Sequence, residues 1–484
     1  MPRLKLNLGV GSYQSSAVPF SSQRCVNLYS GVAQAQSLSE FALFNTPGTV
    51  LFATAGSEAG RGAIEMSGVY YTISGNTLFE VTQFGVVVSK GTITGDARVS
   101  MAHNGKKLVI VVPGGDAYEF NATTDTLTQI TDPAFRTSDT VGFKDGLYIF
   151  TETDSDIFFN SLLNDPLSYD PLDFGTAELA PDGIIGCHVN HDEVYILGEH
   201  TTEVFQNIGG AGFPFRRIPG ASFEKRAHSK YGSIPWEGIF YFIGGGINEK
   251  TSIWAAGGTS EPQKVSTDAI DHEIQRFERD EIAAAFSFTY TINGASFVGF
   301  TFRSVNISSR TFLYNVTAGR QSGRPVWFEQ QTGVTDNAWR AQSVVNVYSK
   351  LLISDVIDGR IGSLDPDTYT EYGEVLRREK VTGPFAGDGS SLFLSELELT
   401  ADSGRGLITG QGVDPVVTME FSDDGGRLFS DGTTRPLGKI GEFFRRTVWR
   451  RLGRIPAHRI FRFWVTDPVS VTFIKLEARA ERGR

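Results

Sequence analysis

One punctuation recurs along this chain: a polar or glycine-containing turn followed at once by a short apolar and aromatic run. It stands at Ser67-Gly68 before Val69-Tyr70-Tyr71, at Asn104-Gly105 before Leu108-Val109-Ile110-Val111-Val112, and at Asp145-Gly146 before Leu147-Tyr148-Ile149-Phe150. It returns at His191-Asp192, Glu237-Gly238, Asn293-Gly294 and Ser349-Lys350, ahead of Val194, Ile239, Phe297 and Leu351. Turn signals feeding short alternating runs mark strands rather than helices. Their spacing of about 40 to 55 residues is that of a repeat unit with four strands. The expected fold is therefore mostly β, with a β-propeller of six or seven blades over residues 61–380. Unrelated hairpins in stacked sandwiches are the competing architecture, because the repeats share a pattern and few identities.

Two regions fall outside the repeat. Residues 1–60 are rich in Ser, Ala and Gly without a clean period and read as an N-terminal arm. Beyond Gly383-Pro384 the strand pattern restarts at Leu392 and runs through Val416-Val417, Val448-Trp449, Ile460 to Val465 and Val469 to Leu476, so residues 381–484 are expected to form a β-sandwich. One segment breaks the β pattern. Residues 268–282 put Ile270, Ile274 and Phe277 on one face behind Thr267 or Asp268 as N-cap, which predicts a single amphipathic helix packed on the propeller rim.

Composition removes several function classes. Cys25 and Cys187 are too few for a disulfide scaffold and lack a C-x-x-C spacing, which suits a reducing compartment. The opening residues lack the apolar core of a signal peptide, and no apolar run reaches the roughly 18 residues of a membrane span. Synthesis and retention in the cytosol follow as the expectation, and the sequons at Asn121, Asn306 and Asn315 are expected to be ordinary turn residues.

No constellation carries convincing catalytic chemistry. Ser422-x-Asp424-x-Gly426-x-x-Phe429 fits an Asp box, a hairpin device whose Ser and Asp side chains bond local backbone groups. Asp154, Asp156, Asp165, Asp170 and Asp173 form an acidic cluster in which a glycosidase pair can be imagined, but Pro166, Pro171 and Ser155 flank them as in solvated turns. Cys187, His188 and His191 are the conceivable metal ligands, yet alternation along a strand throws adjacent ligands to opposite faces. Gly209-Gly210 and Gly244-Gly245-Gly246 precede no helix, and no G-x-S-x-G elbow exists. No enzyme, cofactor or metal is expected.

Charge is more informative. Residues 435–484 carry 13 Lys or Arg against 4 Asp or Glu, a balance of +9, so the total of -11 leaves -20 on the first 434 residues. The string from Phe443 to Arg454 interleaves aromatics with Arg445, Arg446, Arg450, Arg451 and Arg454. A nucleic-acid surface, an acidic protein partner and a solvated strand face are the three readings. Charge alone leaves the three open.

Several strings, in order, resemble one family. They are Arg98-Val99-Ser100-Met101-Ala102-His103, then Asp173 to Glu178 with Pro181-Asp182-Gly183-Ile184-Ile185-Gly186, then Thr202-Glu203-Val204-Phe205 and the segment 270–282. Phe421-Ser422-Asp423-Asp424-Gly425-Gly426, Val448 to Arg454 and Asp467-Pro468-Val469 complete the set. The chain thereby resembles the packaged-DNA stabilisation proteins that form the tail hub, or nozzle, of short-tailed bacteriophages. That resemblance spans about residue 40 to the end, and residues 1–40 are its poorly matched part. It implies a non-enzymatic virion protein, assembled in the bacterial host's cytoplasm as a homohexamer beneath the portal and its adaptor ring. It further implies a channel that retains packaged DNA and conducts it at ejection without sequence-specific binding, with a tail needle or plug and tailspikes or fibres as neighbours. Since a conduit that gripped DNA would hold its cargo back, the same resemblance makes Arg445, Arg446, Arg450, Arg451 and Arg454 the expected contacts between subunits or with the adaptor ring. A carbohydrate-active or receptor-binding propeller is the alternative.

Overall fold

The computed structural model describes residues 4–17, 19–177, 183–210, 212–257, 261–387 and 391–482. Its order begins in two-residue turns. At Ser67-Gly68, Asp145-Gly146, Glu237-Gly238 and Asn293-Gly294 both residues have φ between 50° and 85°, the pairing that type I′ turns require and whose twist matches the flanking strands. Met66 accordingly faces Val69, Lys144 faces Leu147, Trp236 faces Ile239 and Ile292 faces Ala295. The last of the seven turns falls at Tyr348-Ser349, one residue ahead of the expected Ser349-Lys350.

Each of the seven turns joins the first and second strands of one antiparallel sheet. The first strands are Gly60–Met66, Ser100–His103, Ser138–Lys144, Ile184–Asn190, Ser233–Trp236, Phe286–Ile292 and Ala341–Val347, and they adjoin one another in a closed ring. The result is a seven-bladed propeller. Adjacent blades share an apolar layer: Ile73 and Leu78 meet Leu108, Ile110 and Phe120 between the first two blades, and Ala53, Tyr70, Val347 and Leu352 pack between the seventh and the first. Each such side chain, once fully buried, contributes about 1.5–3 kcal/mol. The ring is closed by the strand Gly48–Thr54, which lies before the first blade in sequence yet forms the outer strand of the seventh, with Asp365 opposite Gly48 and Arg360 opposite Thr54.

Residues 1–60 enter other sheets as well. Val26, in the two-residue strand Cys25–Val26, pairs in parallel with Glu329 at the outer edge of the sixth blade. On its other side Cys25 and Val26 pair with Lys380 and Glu379. This short strand splices the sixth blade to Arg378–Val381, His458–Val465, Val416–Ser422 and Thr433–Pro436, making one continuous ten-stranded sheet. Packed against its far end is a second, six-stranded sheet in which Thr447–Ile455, Leu392–Ala401 and Phe473–Arg482 are joined by three strands of the arm, Leu4–Leu6, Phe41–Asn45 and Leu28–Val32. Leu397, Trp449, Leu476, Met419, Phe461 and Phe463 fill the space between the two, as in a β-sandwich.

The segment 268–282 corrects the expectation of one helix. It forms two, Asp268–Ile274 and Arg279–Ala283. Glu278 and Glu281 make a capping box that starts the second helix, so the break carries its own N-terminal signal. Ile270, Ile274, Phe277 and Ile282 all pack against the fifth and sixth blades, with Ile253 and Phe300 among their neighbours. A third helix, Val316–Ser322, is capped by Asn315, whose buried side chain also donates to the Ser30 carbonyl. Asn315 is thus a cap rather than an open turn residue, whereas Asn121 accepts from the Thr123 and Thr124 amides in a turn.

Candidate partner-binding surface

The basic string is divided between a loop and a strand. Residues 443–446 lie in the loop, where Phe443 and Phe444 are exposed, the latter at 97%; Thr447–Ile455 is an edge strand. Alternation turns Trp449 into the sandwich, where its indole Nε1 donates to the Thr433 carbonyl at 2.9 Å, and leaves Arg450 outside. The neighbouring strand Leu392–Ala401 buries Leu394, Leu397 and Leu399 and turns Glu396 and Glu398 to the same outer face as Arg450.

Register then brings opposite charges together. Glu396 sits between Arg450 on one side and Arg479 on the other. Arg450 Nε donates to it at 3.2 Å, and Arg479 Nε lies 3.7 Å away. Arg446 makes a two-pronged contact with Glu398, both bonds 2.7 Å, and this pairing raises its guanidinium above its ordinary pKa. Lys475 meets Glu477 at 3.1 Å two residues along its own strand, Phe473–Arg482. Two of the five candidate arginines therefore belong to an internal ladder of charge. Arg445, Arg451 and Arg454 are exposed and form no ion pair among the described residues.

A bulge sets the aim of the last two. Opposite Ser395 the edge strand carries both Arg451 and Leu452, and Arg451 adopts φ 60°. Beneath the bulge, Arg459 is almost wholly buried. Its Nε and Nη2 bind the two Asp423 oxygens at 2.7 Å each, while Nη1 and Nη2 donate to the Leu452 and Arg454 carbonyls at 2.6 and 3.0 Å. One guanidinium thus ties the bulged basic strand to the Asp-box turn.

That turn is a backbone device. Ser422 Oγ donates to Asp424 at 2.6 Å and accepts from the Gly426 amide at 2.8 Å, while Asp424 accepts from the Arg427 and Leu428 amides. These bonds, led by the Ser422 hydroxyl, hold the Asp424 carboxyl below its usual range. The acidic cluster is spread over separate turns and one long strand, Asp165–Thr176, where Asp165 and Asp170 each accept from the amide two residues on. Burial, then Asp170, raises the Asp173 carboxyl.

Cys187 and His188 diverge as alternation requires. The thiol lies against Thr140 and the Ile149 carbonyl, and burial pushes it up to about 11. The imidazole lies beside Phe240, and burial pushes it down to about 4. His191 occupies a hairpin turn with φ 52°. Among the described residues no three His, Cys, Asp or Glu side chains are placed to hold a metal. Of the ordered strings, Ser100–His103 is the first strand of the second blade and Thr202–Phe205 lies in the third strand of the fourth. Glu178, Pro181 and Asp182 lie outside the described residues.

Glu396, Glu398, Asp423 and Arg459 were missing from the sequence reading of this surface. The Glu-Leu-Glu-Leu alternation at 396–399 marks two acids on one outward face, but their pairing with Arg446 and Arg450, about 50 residues on, is a property of register alone.

Comparison with known proteins covers both parts of the molecule. Residues 4–369 match a family described as bacteriophage P22 Gp10, β-propeller, and residues 377–481 match bacteriophage P22 Gp10, β-sandwich. The tail hub protein gp10 of Salmonella phage P22 is 22% identical over 439 residues, spanning 86% of this chain and 87% of that protein. Among solved structures, the N-terminal domain of Nup159 superposes with a TM-score of 0.42 at 10% identity, covering 71% of this chain and 99% of that one. PorZ, a surface component of the type-IX secretion system of Porphyromonas gingivalis, gives 0.38 at 11% identity, and 74% of this chain spans only 45% of it. Likenesses that low carry no argument. The two family matches, by contrast, account for the propeller and the sandwich in turn over nearly the whole sequence, and the chain belongs to the bacteriophage P22 Gp10 family.

Proposed function

We propose that this protein is a structural subunit of a short-tailed phage's tail hub, a homohexameric ring that extends the portal channel, retains packaged DNA and conducts it at ejection. The observation that carries the reading is the collinear match to the P22 tail hub protein, which runs through both parts of each chain. Its place is the virion tail, reached by assembly in the host cytoplasm. Its neighbours are the portal adaptor ring, a tail needle or plug, and tailspikes or fibres. The arm (1–60), propeller (61–380) and sandwich (381–484) serve as fastening, body and docking unit, and the protein catalyses nothing.

The charge distribution supports this reading. A subunit of net charge -11 lets DNA pass without a phosphate grip. The arginine ladder of the sandwich is largely neutralised by Glu396 and Glu398. Arg445, Arg451 and Arg454, beside exposed Phe443 and Phe444, are the groups left to steer and bind an acidic protein surface.

Native mass spectrometry of the purified protein, alone and with portal and adaptor, tests the assembly. Hexamers, either free or formed on mixing, are expected; a monomer indifferent to both components and cleaving glycans would replace this reading with the receptor-binding alternative. Substituting Arg445, Arg451 and Arg454 by Ala is expected to reduce incorporation into tails, and Arg446→Ala with Arg450→Ala to reduce it less. Normal incorporation accompanied by lost DNA affinity would identify the patch as a nucleic-acid surface instead.

A further inference from the structure

Between the fourth and fifth blades, beneath the two short helices, lies a cleft of 510 Å³ with two arginines and one carboxylate in its lining among the described residues. Three residues from two segments of its lining carry a buried N–H group without a hydrogen-bond partner among the described residues: Arg226 Nε, His228 Nε2 and Gln275 Nε2. Arg226 starts the strand Arg226–Ala227 at the edge of the fifth blade, and Gln275 ends the first helix. His228 is held from its other side, its Nδ1 lying 2.9 Å from the Thr251 hydroxyl. When that hydroxyl donates to Nδ1, Nε2 carries the proton and is a third unpartnered donor in the cleft wall.

Arg279, from the second helix, adds another cation at the rim, and Glu199 is the one carboxylate lining the cleft among the described residues. Phe277 and Ile282 supply an apolar wall. Burial, followed by Arg226 and Arg279, pushes the His228 imidazolium down to about 4, so the ring is neutral near pH 7 beside two guanidinium groups that form no ion pair among the described residues.

Buried donors are ordinarily satisfied, and three unsatisfied ones in the wall of a single cleft, beside the Arg279 guanidinium at its rim, call for an acceptor. An oxyanion supplies several acceptor atoms and compensating charge at once. The volume falls in the range of small-ligand sites, and apolar walls with a few convergent polar groups are their usual lining. We infer that this cleft is a binding site for a small organic oxyanion, a carboxylate or phosphate group carried on an apolar body. Nothing in the proposed hub function requires it, and it lies in the propeller, apart from the arginine surface of the sandwich.

The test is calorimetric titration of the intact protein with inorganic phosphate and, separately, with benzoate, each against chloride at equal ionic strength. Saturable binding of at least one probe is expected. Arg226→Met and Gln275→Leu keep the volume and remove a donor, and each is expected to weaken Kd tenfold or more. Arg279→Gln, an exposed substitution, guards against misfolding of the first two and is expected to weaken binding at least threefold. Benzoate binding more tightly than phosphate would assign the apolar wall a share. The inference is overturned if neither probe binds beyond the chloride control, which would mean a water-filled cleft only, or if all three folded variants bind as the parent does.

Discussion

Replacing Arg24 by Met tests how the arm holds the two parts together. Arg24 precedes the splice strand, and its Nε donates to both oxygens of Glu329 at 3.0 and 3.1 Å, with Nη2 at 2.7 Å. It also meets Asp336, which Arg310 grips from the other side at 2.8 and 2.9 Å. The side chains of Glu329 and Arg24 are only 5% and 18% exposed. Burial alone works against charge on Arg24, but Glu329 and Asp336 outweigh it and hold the guanidinium above its ordinary pKa.

Without Arg24 the Glu329 carboxylate keeps Arg310 Nε at 3.9 Å and the Ser12 hydroxyl at 3.5 Å. Removing one member of a buried pair costs about 3–5 kcal/mol. The surviving Arg310 contact places Arg24→Met near the bottom of that range, about 3 kcal/mol. Glu329→Leu is expected to cost a similar amount and the double variant less than the sum, with a coupling energy of about 2 kcal/mol. Urea unfolding followed by tryptophan fluorescence reads all four corners of the cycle. A single-variant cost below about 1 kcal/mol, or coupling below about 0.5 kcal/mol, would refute the claim that this pair fastens the arm.

Arg459→Met breaks the clamp under the basic strand and is expected to cost about 3–5 kcal/mol, with faster amide exchange at Leu452 and Gly453; unchanged exchange there would show that the bulge stands without it. Burial pushes the Glu371 carboxyl from 4.5 up to about 7. The native state therefore binds this proton more tightly, and its contribution is complete below pH 4.5 and lost as pH rises through 7. Glu371→Gln should accordingly gain up to about 3 kcal/mol relative to the parent between pH 5 and pH 8, and parallel pH profiles for the two proteins would contradict it. Gly294 has φ 76° and open space where a Cβ would stand, so Gly294→Ala should cost only the left-handed conformation, about 1–2 kcal/mol by urea midpoint; a loss beyond about 3 kcal/mol would mean that packing matters there too. Alanine at Asp156, Asp173, Asp424 or His191 is expected to remove no glycan-hydrolysing activity, and hydrolysis abolished by Asp156→Ala or Asp173→Ala would overturn the non-enzymatic reading.

Seven turns and the strands that follow them are legible in the sequence because their causes are local. Asn293-Gly294 or Asp145-Gly146 needs only its own backbone to accept the left-handed conformation, and Leu147-Tyr148-Ile149-Phe150 declares a strand by composition alone. Seven such units with little else between them lead to the propeller, and the restart after residue 383 leads to the sandwich. The Asp-box turn is equally local, since each bond of Ser422 and Asp424 lies within four residues.

Tertiary structure alone decided the rest. Gly48–Thr54 closes the seventh blade, and Cys25–Val26 joins propeller to sandwich, through backbone hydrogen bonds to strands some 300 residues away. Such bonds carry no side-chain signature, so the arm showed no period from which they could be read. The same limit governs charge. The sequence announced the five arginines, but only register set Arg446 and Arg450 against Glu398 and Glu396 while leaving Arg445, Arg451 and Arg454 open to solvent. The cleft between the fourth and fifth blades lies further still from the sequence, because Gln275 joins Arg226 and His228 only when two blades and a helix pack around one space.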